Sequence, residues 1–194
     1  QQTATQAVIP RFRISLVSSR KMIEDTEALF SLDHSVGVSI APSLGQALRS
    51  LPQEDLQLTG VLVRELLEEY IAQGLFNEDD LMAVRRQGYQ EVQVERRETL
   101  GSADIEQVVK VQDMLHTGII AERIHADLRV VGHGIREGLL PIAFDAIRSL
   151  VRPNVHFDPV ATALAREEAA LGIDPVVVRV EEGEYIIKKD FVIT

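Results

Sequence analysis

His116, His125 and His133, with Glu122 between the first two, are residue types that hold a divalent ion, and a bound ion would polarise water for hydrolysis. Their spacing speaks against it. None sits in an H-E-x-x-H pattern, and no two of the histidines lie three or four residues apart, so no helix face would offer two imidazoles to one metal. His125 stands near Asp127 in "IHAD" and His156 near Asp158 in "VHFD", yet neither is the contiguous His-Asp pair of a metal phosphohydrolase. "GHGIREG", residues 132–138, has the glycines of a phosphate cradle ahead of a helix. Without a Gly-Lys-Ser/Thr ending or the dinucleotide spacing, it reads as an inter-helix loop whose glycines permit positive φ. No serine occupies a G-x-S-x-G elbow. The carboxylate pairs Glu68-Glu69 and Glu181-Glu182 are adjacent in sequence and so point apart, as solvated faces do. The residues predict no catalytic group, no metal and no cofactor within this stretch.

The elements that would position such side chains are punctuated most sharply in "RPNVHFDPVATALAREEAALGIDP". Asp158 can accept from the free N–H groups of a first helical turn, and Pro159 fits the first helical position. Val160, Leu164 and Leu171 then share one face at helical spacing and are expected inside, with Arg166, Glu167 and Glu168 toward water and Gly172 as the stop. The β-branched run after it predicts a hairpin turning at Glu182-Gly183 and a short strand near 191–193. At the other end, Phe12 and Ile14 alternate with Arg11 and Arg13 as a strand does. A helix capped by Ser18 or Ser19 follows, with Met22, Thr26, Leu29 and Phe30 inward, and "VGVSI" reads as a second strand. Proline, strand, helix, strand thus occurs at both ends, a weak internal repeat of architecture that predicts one shared sheet with both termini on the same side.

Between them the pattern is helical. "LGQALRSL" is a short helix, and "QEDLQLTGVLVRELLEEYIAQG" a long one with Val63, Leu66, Leu67, Tyr70 and Ile71 inward, Gly60 marking close packing and Gly74 as stop. Asn77, backed by Asp80, caps a helix ending at Gly88, and Val92 and Val94 alternate in a strand. Further helices are expected from Ser102 to about His116, then to about Val131, and last from Pro141, with Ile142, Ile147 and Leu150 packing inward. The fold class is α+β: a helix-rich domain with a small sheet from N- and C-terminal βαβ-like segments and a largely helical middle. No linker divides the chain, so residues 1–194 are expected to form a single domain with its helical middle at 42–151 and α/β portions at 8–41 and 152–194.

With 45% hydrophobic residues the 194-residue chain can bury a real core. The formal net charge of −10, from 30 acidic and 20 basic residues with no long basic run, argues against nucleic acid or an anionic lipid surface as partner. There is no cysteine, hence no disulfide framework. No apolar run reaches the ~18 residues of a membrane span.

The tail carries a resemblance. "RPNVHFDPVATALAREEA" and "DPVVVRVEEGEYIIKKDFVIT" are similar to the end of the extracellular domain of the seven-transmembrane receptors with an intracellular HD hydrolase. Pro153, Asn154, Asp158, Thr162, Arg166, Glu167, Glu168, Ala169, Pro175, Val176, Gly183, Glu184 and Ile186 stand at matching places, while Asp190 replaces the family's second tail glycine. "YIAQGLFNEDDL", "YQEVQVERRETLGSADIEQV" and "IPRFRIS" resemble further family segments. The resemblance implies an extracytoplasmic module of a bacterial membrane protein, set between a first membrane helix and a six-helix bundle. The family's HD phosphohydrolase, in some members a cyclic di-AMP hydrolase, would lie outside it. The set Pro153, Asn154, Asp158, Thr162, Arg166, Glu167, Gly183 and Glu184 is expected to be structural. The expected role is a non-catalytic sensory domain with an extracytoplasmic ligand and its own transmembrane bundle as partners. The alternative is a structural or homo-oligomerisation domain without a ligand.

Overall fold

A computed structural model of the chain describes residues 8–31, 39–96, 105–132 and 135–171. In chain order its elements are strand β1 (Arg11–Ile14), helices α1 (Leu16–Leu29), α2 (Gly45–Ser50) and α3 (Gln53–Gln73), strand β2 (Leu75–Phe76) and helix α4 (Glu78–Arg86). Strands β3 (Glu91–Arg96), β4 (Ile105–Lys110) and β5 (Leu115–His116), helices α5 (Ile120–Val131) and α6 (Leu140–Leu150), strand β6 (Val155–Phe157) and helix α7 (Pro159–Leu171) follow. The expected tail hairpin at Glu182-Gly183, the strand near 191–193, the stop at Gly172 and the position of both termini lie outside the described residues.

The α+β class holds, and β1 and β6 are antiparallel neighbours, with Phe12 opposite Phe157 and Ile14 opposite Val155. The sheet is larger than the chain ends alone would make it. Among the described residues its six strands run β4-β3-β1-β6-β2-β5, and the largely helical middle supplies four of them, of which only β3 was expected there. Two of these, β2 and β5, have two residues each, too few for alternation to show.

Residues 105–116 correct the helix expected from Ser102 to about His116, Ser102 itself lying outside the described residues. Ile105 to Lys110 instead pair antiparallel with the whole of β3, from Glu91 opposite Lys110 to Arg96 opposite Ile105. Ile105, Val108 and Val109 are β-branched and suit a ladder better than a helix surface. Ser39 and Ile40 of the expected strand "VGVSI" are helical, residues 36–38 lying outside the described residues. Ile40 and Ala41 pack into the helical core rather than the sheet.

Helix α1 starts earlier than expected. Ser15 is the cap, its Oγ accepting from Ser18 N at 3.1 Å. The cause is that Ser15 N donates to Asn154 O at 2.7 Å, which keeps Ser15 extended as the last residue tied to the sheet. Met22, Thr26 and Leu29 are buried as expected, and so is Asp25, which pairs with Lys21 at 2.7 Å and Arg152 at 3.2 Å. In α3, Gly60 lies under Phe30, where a Cβ would approach to 3.0 Å. Gly74 ends the helix at φ 85°.

Successive strand residues point to opposite faces, and β2 uses this to join two cores. Leu75 packs with Leu66, Leu67, Ile124, Ile147 and Leu150 of the helices. Phe76 packs with Phe12, Ile14, Leu81, Val92, Val94 and Val155. Helix α7 corrects the sequence reading most directly: Thr162 and Ala165 are its buried residues, while Val160, Leu164 and Leu171, expected inside, are 68%, 54% and 80% exposed. The reason lies in how its first turn is held.

Candidate functional site

Among the described residues, those whose types suggested chemistry do not gather at one site. His116 is buried in β5, where its Nδ1 accepts from Gly118 N at 3.3 Å. His125 is exposed on α5 with its ring stacked on Phe144, centroids 4.0 Å apart. His133 and Glu181-Glu182 lie outside the described residues. Among the described residues no group of three His, Cys, Asp or Glu gathers where a metal would be held. Glu68 and Glu69 diverge as expected, to Arg64 at 2.8 Å and Arg123 at 3.7 Å. Gly132 is required for a different reason from the one expected: its φ is −76°, but an added Cβ would lie 2.4 Å from Leu128 O and 2.7 Å from Leu140 Cδ2. Beyond it Arg136 Nη1 donates to the buried Asp55 Oδ2 at 2.7 Å, fixing the approach to α6.

The motif residues at 153–166 form a junction. Asn154 has no exposed surface; its Oδ1 accepts from Leu75 N at 2.7 Å, and its Nδ2 donates to Ser19 Oγ at 3.0 Å and Ile71 O at 3.1 Å. One amide therefore ties α1, the end of α3 and β2 to the entrance of β6. Pro153 biases Arg152 toward the extended backbone that brings Asn154 there. Asp158 Oδ1 accepts from Ala161 N at 2.8 Å, capping α7, and its Oδ2 meets Arg13 at 3.3 Å. Thr162 Oγ1 donates to Asp158 O at 2.7 Å and accepts from Arg11 N at 3.0 Å, so it closes the ladder at the start of β1. These bonds set the rotation of α7 and leave its larger apolar residues outside. Arg166 Nη2 donates to Tyr89 Oη at 3.3 Å, whereas Glu167 is exposed; Gly183 and Glu184 lie outside the described residues.

A cavity of about 430 Å³ opens between α5 and α6, lined by Leu128, Leu140, Pro141 and Phe144 with His125, Arg129 and Asp145 as its polar groups. Concave, largely apolar walls with a few polar groups are what small-molecule sites share. On the inner side of α5, Asp127 accepts from Tyr70 Oη at 2.9 Å and from Arg123 Nε at 2.7 Å. Burial, and then the bond to Asp127, pushes the Tyr70 phenol above the usual tyrosine range. Helix α5 is thereby pinned to α3, and α6 leads within four residues to Asn154 and β6. Sequence reasoning missed Phe144, Arg129 and Asp145, because the cavity arises from how two helices pack.

Among the described residues no helix is long and apolar enough to cross a membrane. A family model described as 7TM-HD extracellular matches residues 1–194. No curated protein and no solved structure matches the chain.

Proposed function

The chain belongs to the 7TM-HD extracellular family, and from that premise we propose that residues 1–194 act as one sensory input unit that binds a small extracellular molecule. In this reading the domain biases an HD phosphohydrolase on the far side of the membrane, one acting on a cyclic dinucleotide, and does no chemistry of its own. The observation that carries the ligand is the cavity between α5 and α6, large enough at about 430 Å³ for a metabolite or a wall fragment. An occupant acts only if it favours one of two conformations, and the short path from α6 through Asn154 to β6 and α7 is where such a difference would leave the domain. The motif residues Pro153, Asn154, Asp158, Thr162 and Arg166 hold that exit in place; Glu167, Gly183 and Glu184 belong to the same structural set.

The chain has no tryptophan, so Phe144→Trp places a single reporter in the cavity wall. Amino acids, nucleosides and soluble peptidoglycan fragments are titrated against it, with melting temperature followed in the unsubstituted chain. One class is expected to shift both signals and to alter hydrolysis of cyclic di-AMP by the full-length protein in vesicles. A compound that changes hydrolysis through the extracellular side while leaving both signals untouched would remove the cavity from the mechanism.

A further inference from the structure

The cavity between α5 and α6 carries two charges of opposite sign, and where they stand limits what can fill it. Gly132, at the end of α5, lies against Leu140 at the start of α6, while His125, further back in α5, stacks on Phe144, further on in α6. The two helices therefore run in opposite directions along the cavity. Arg129 follows His125 by one turn, toward the connecting loop, and Asp145 follows Phe144, away from that loop. A turn rises about 5–6 Å, so cation and anion stand roughly that far apart along the groove, toward the two ends of its apolar wall. Both residues are exposed, and among the described residues neither has an ion-pair partner, so their heads are free to meet a ligand.

Each class of ligand meets these two charges differently. An anion such as a phosphate ester gains Arg129 but approaches Asp145 on a chain of net charge −10. A simple cation gains Asp145 and is repelled by Arg129. A neutral apolar molecule uses the wall and neither charge. A molecule with both charges about one turn apart and an apolar body between them uses all three. The ammonium and carboxylate of a free amino acid share one carbon and stand closer together than this. In an extended dipeptide, at ~3.3–3.6 Å per residue, the termini are about 7 Å apart. We infer that the cavity takes a zwitterionic dipeptide with apolar side chains, its carboxylate on the Arg129 guanidinium and its ammonium on the Asp145 carboxylate. The inference rests on the reading of this cavity as a ligand site. Because both charges face water, they orient the peptide and contribute modestly, and burial of its side chains against Leu128, Pro141 and Phe144 contributes most of the affinity.

Isothermal titration calorimetry of the 194-residue chain tests this with L-alanyl-L-leucine, L-leucyl-L-leucine, L-alanyl-L-phenylalanine and D-alanyl-D-alanine, each also N-acetylated and C-amidated, and with L-leucine for comparison. At least one free dipeptide is expected to bind more tightly than L-leucine, with both of its capped forms about three- to tenfold weaker. Two variants assign the ends. Arg129→Gln should weaken the free dipeptide by a similar factor and leave the amide unchanged, and Asp145→Asn should do the same with the acetylated form. Unchanged binding of the matching capped peptide also shows that each variant keeps its fold. No binding by any free dipeptide, capped forms that bind as well as free ones, or L-leucine binding as tightly as the best dipeptide would each overturn the inference. If a nucleoside shifts the Phe144→Trp emission while no dipeptide does, the peptide assignment falls and the sensory reading stands. If dipeptides bind with the expected charge dependence but leave hydrolysis of cyclic di-AMP by the full-length protein unchanged, the peptide site stands and the sensory reading falls.

Discussion

Removing the Asn154 side chain strips the acceptor from Leu75 N and the donor from Ile71 O in a site without exposed surface. Buried polar groups left unpaired are expensive, so Asn154→Ala is expected to lower stability by about 2–4 kcal/mol in urea unfolding. An unchanged midpoint would mean that the surrounding backbone finds other partners. Tyr70 makes a second residue-scale prediction, this one in pH. Its phenol is raised in the folded chain, while an unfolded tyrosine ionises near about pH 10. Below that pH both states are protonated, and the slope is zero. Above it the unfolded state loses a proton that the folded state keeps, so stability falls by about 1.4 kcal/mol per pH unit until the folded phenol also ionises. Tyr70→Phe should remove this part of the alkaline decline and cost about 1 kcal/mol at neutral pH, since Asp127 keeps Arg123. Identical alkaline slopes for both proteins would refute the burial argument.

At the scale of elements, the glycines of the α5–α6 connection separate two effects that composition alone merges. Gly132→Ala drives a Cβ into Leu128 O and Leu140, whereas Gly138→Ala meets nothing within 4 Å. The first is expected to destabilise by about 1–3 kcal/mol and the second by less than about 0.5 kcal/mol, read as thermal midpoints. Helix α7 gives a matching contrast: Ala165→Leu should overpack the sheet contact at about 1–3 kcal/mol, while Leu164→Ala stays within about 0.5 kcal/mol. The reverse order would restore the face that spacing suggested. These cases also show what the sequence could carry. The inner faces of α1 and α3 and the caps at Asn77 and Asp158 were legible, because periodicity and cap chemistry are local, and the weak repeat placed β1 and β6 in one sheet without saying that they pair. The rotation of α7 was not, because two polar bonds from Asp158 and Thr162 outweigh a stripe of three apolar residues. Strand β4 was missed because its ladder partner supplies the stabilisation that its own polar-rich pattern hides. Asp25, buried between Met22 and Leu29, did leave a signal, as a charge on an otherwise apolar helix face.

Among the described residues, β2 and the link from Val151 to Val155 join the two cores, and these links decide how a disturbance in the cavity would travel. Helix α6 packs on α3 and α5, and its chain then runs through Val151, which touches the helical core, to Asn154 and Val155, which belongs to the sheet core. The β3–β4 hairpin lies beyond β1 and shares no contact with α6 among the stronger element contacts. Phe144→Ala enlarges the cavity and removes the stack on His125, loosening α6 without touching the sheet. Native-state hydrogen exchange should therefore accelerate in residues 147–157 and in the first turn of α7, by about tenfold for each 1.4 kcal/mol lost from local opening, while β3 and β4 exchange as before. If β4 accelerates to the same degree, helices and sheet open as one cooperative unit, and a ligand between α5 and α6 has no preferred route to the segment after Leu171. If neither region changes, the packing of α6 on α3 and α1 suffices to hold it and the cavity is energetically silent. Only the graded response is compatible with a domain that receives at its helices and delivers through β6 and α7.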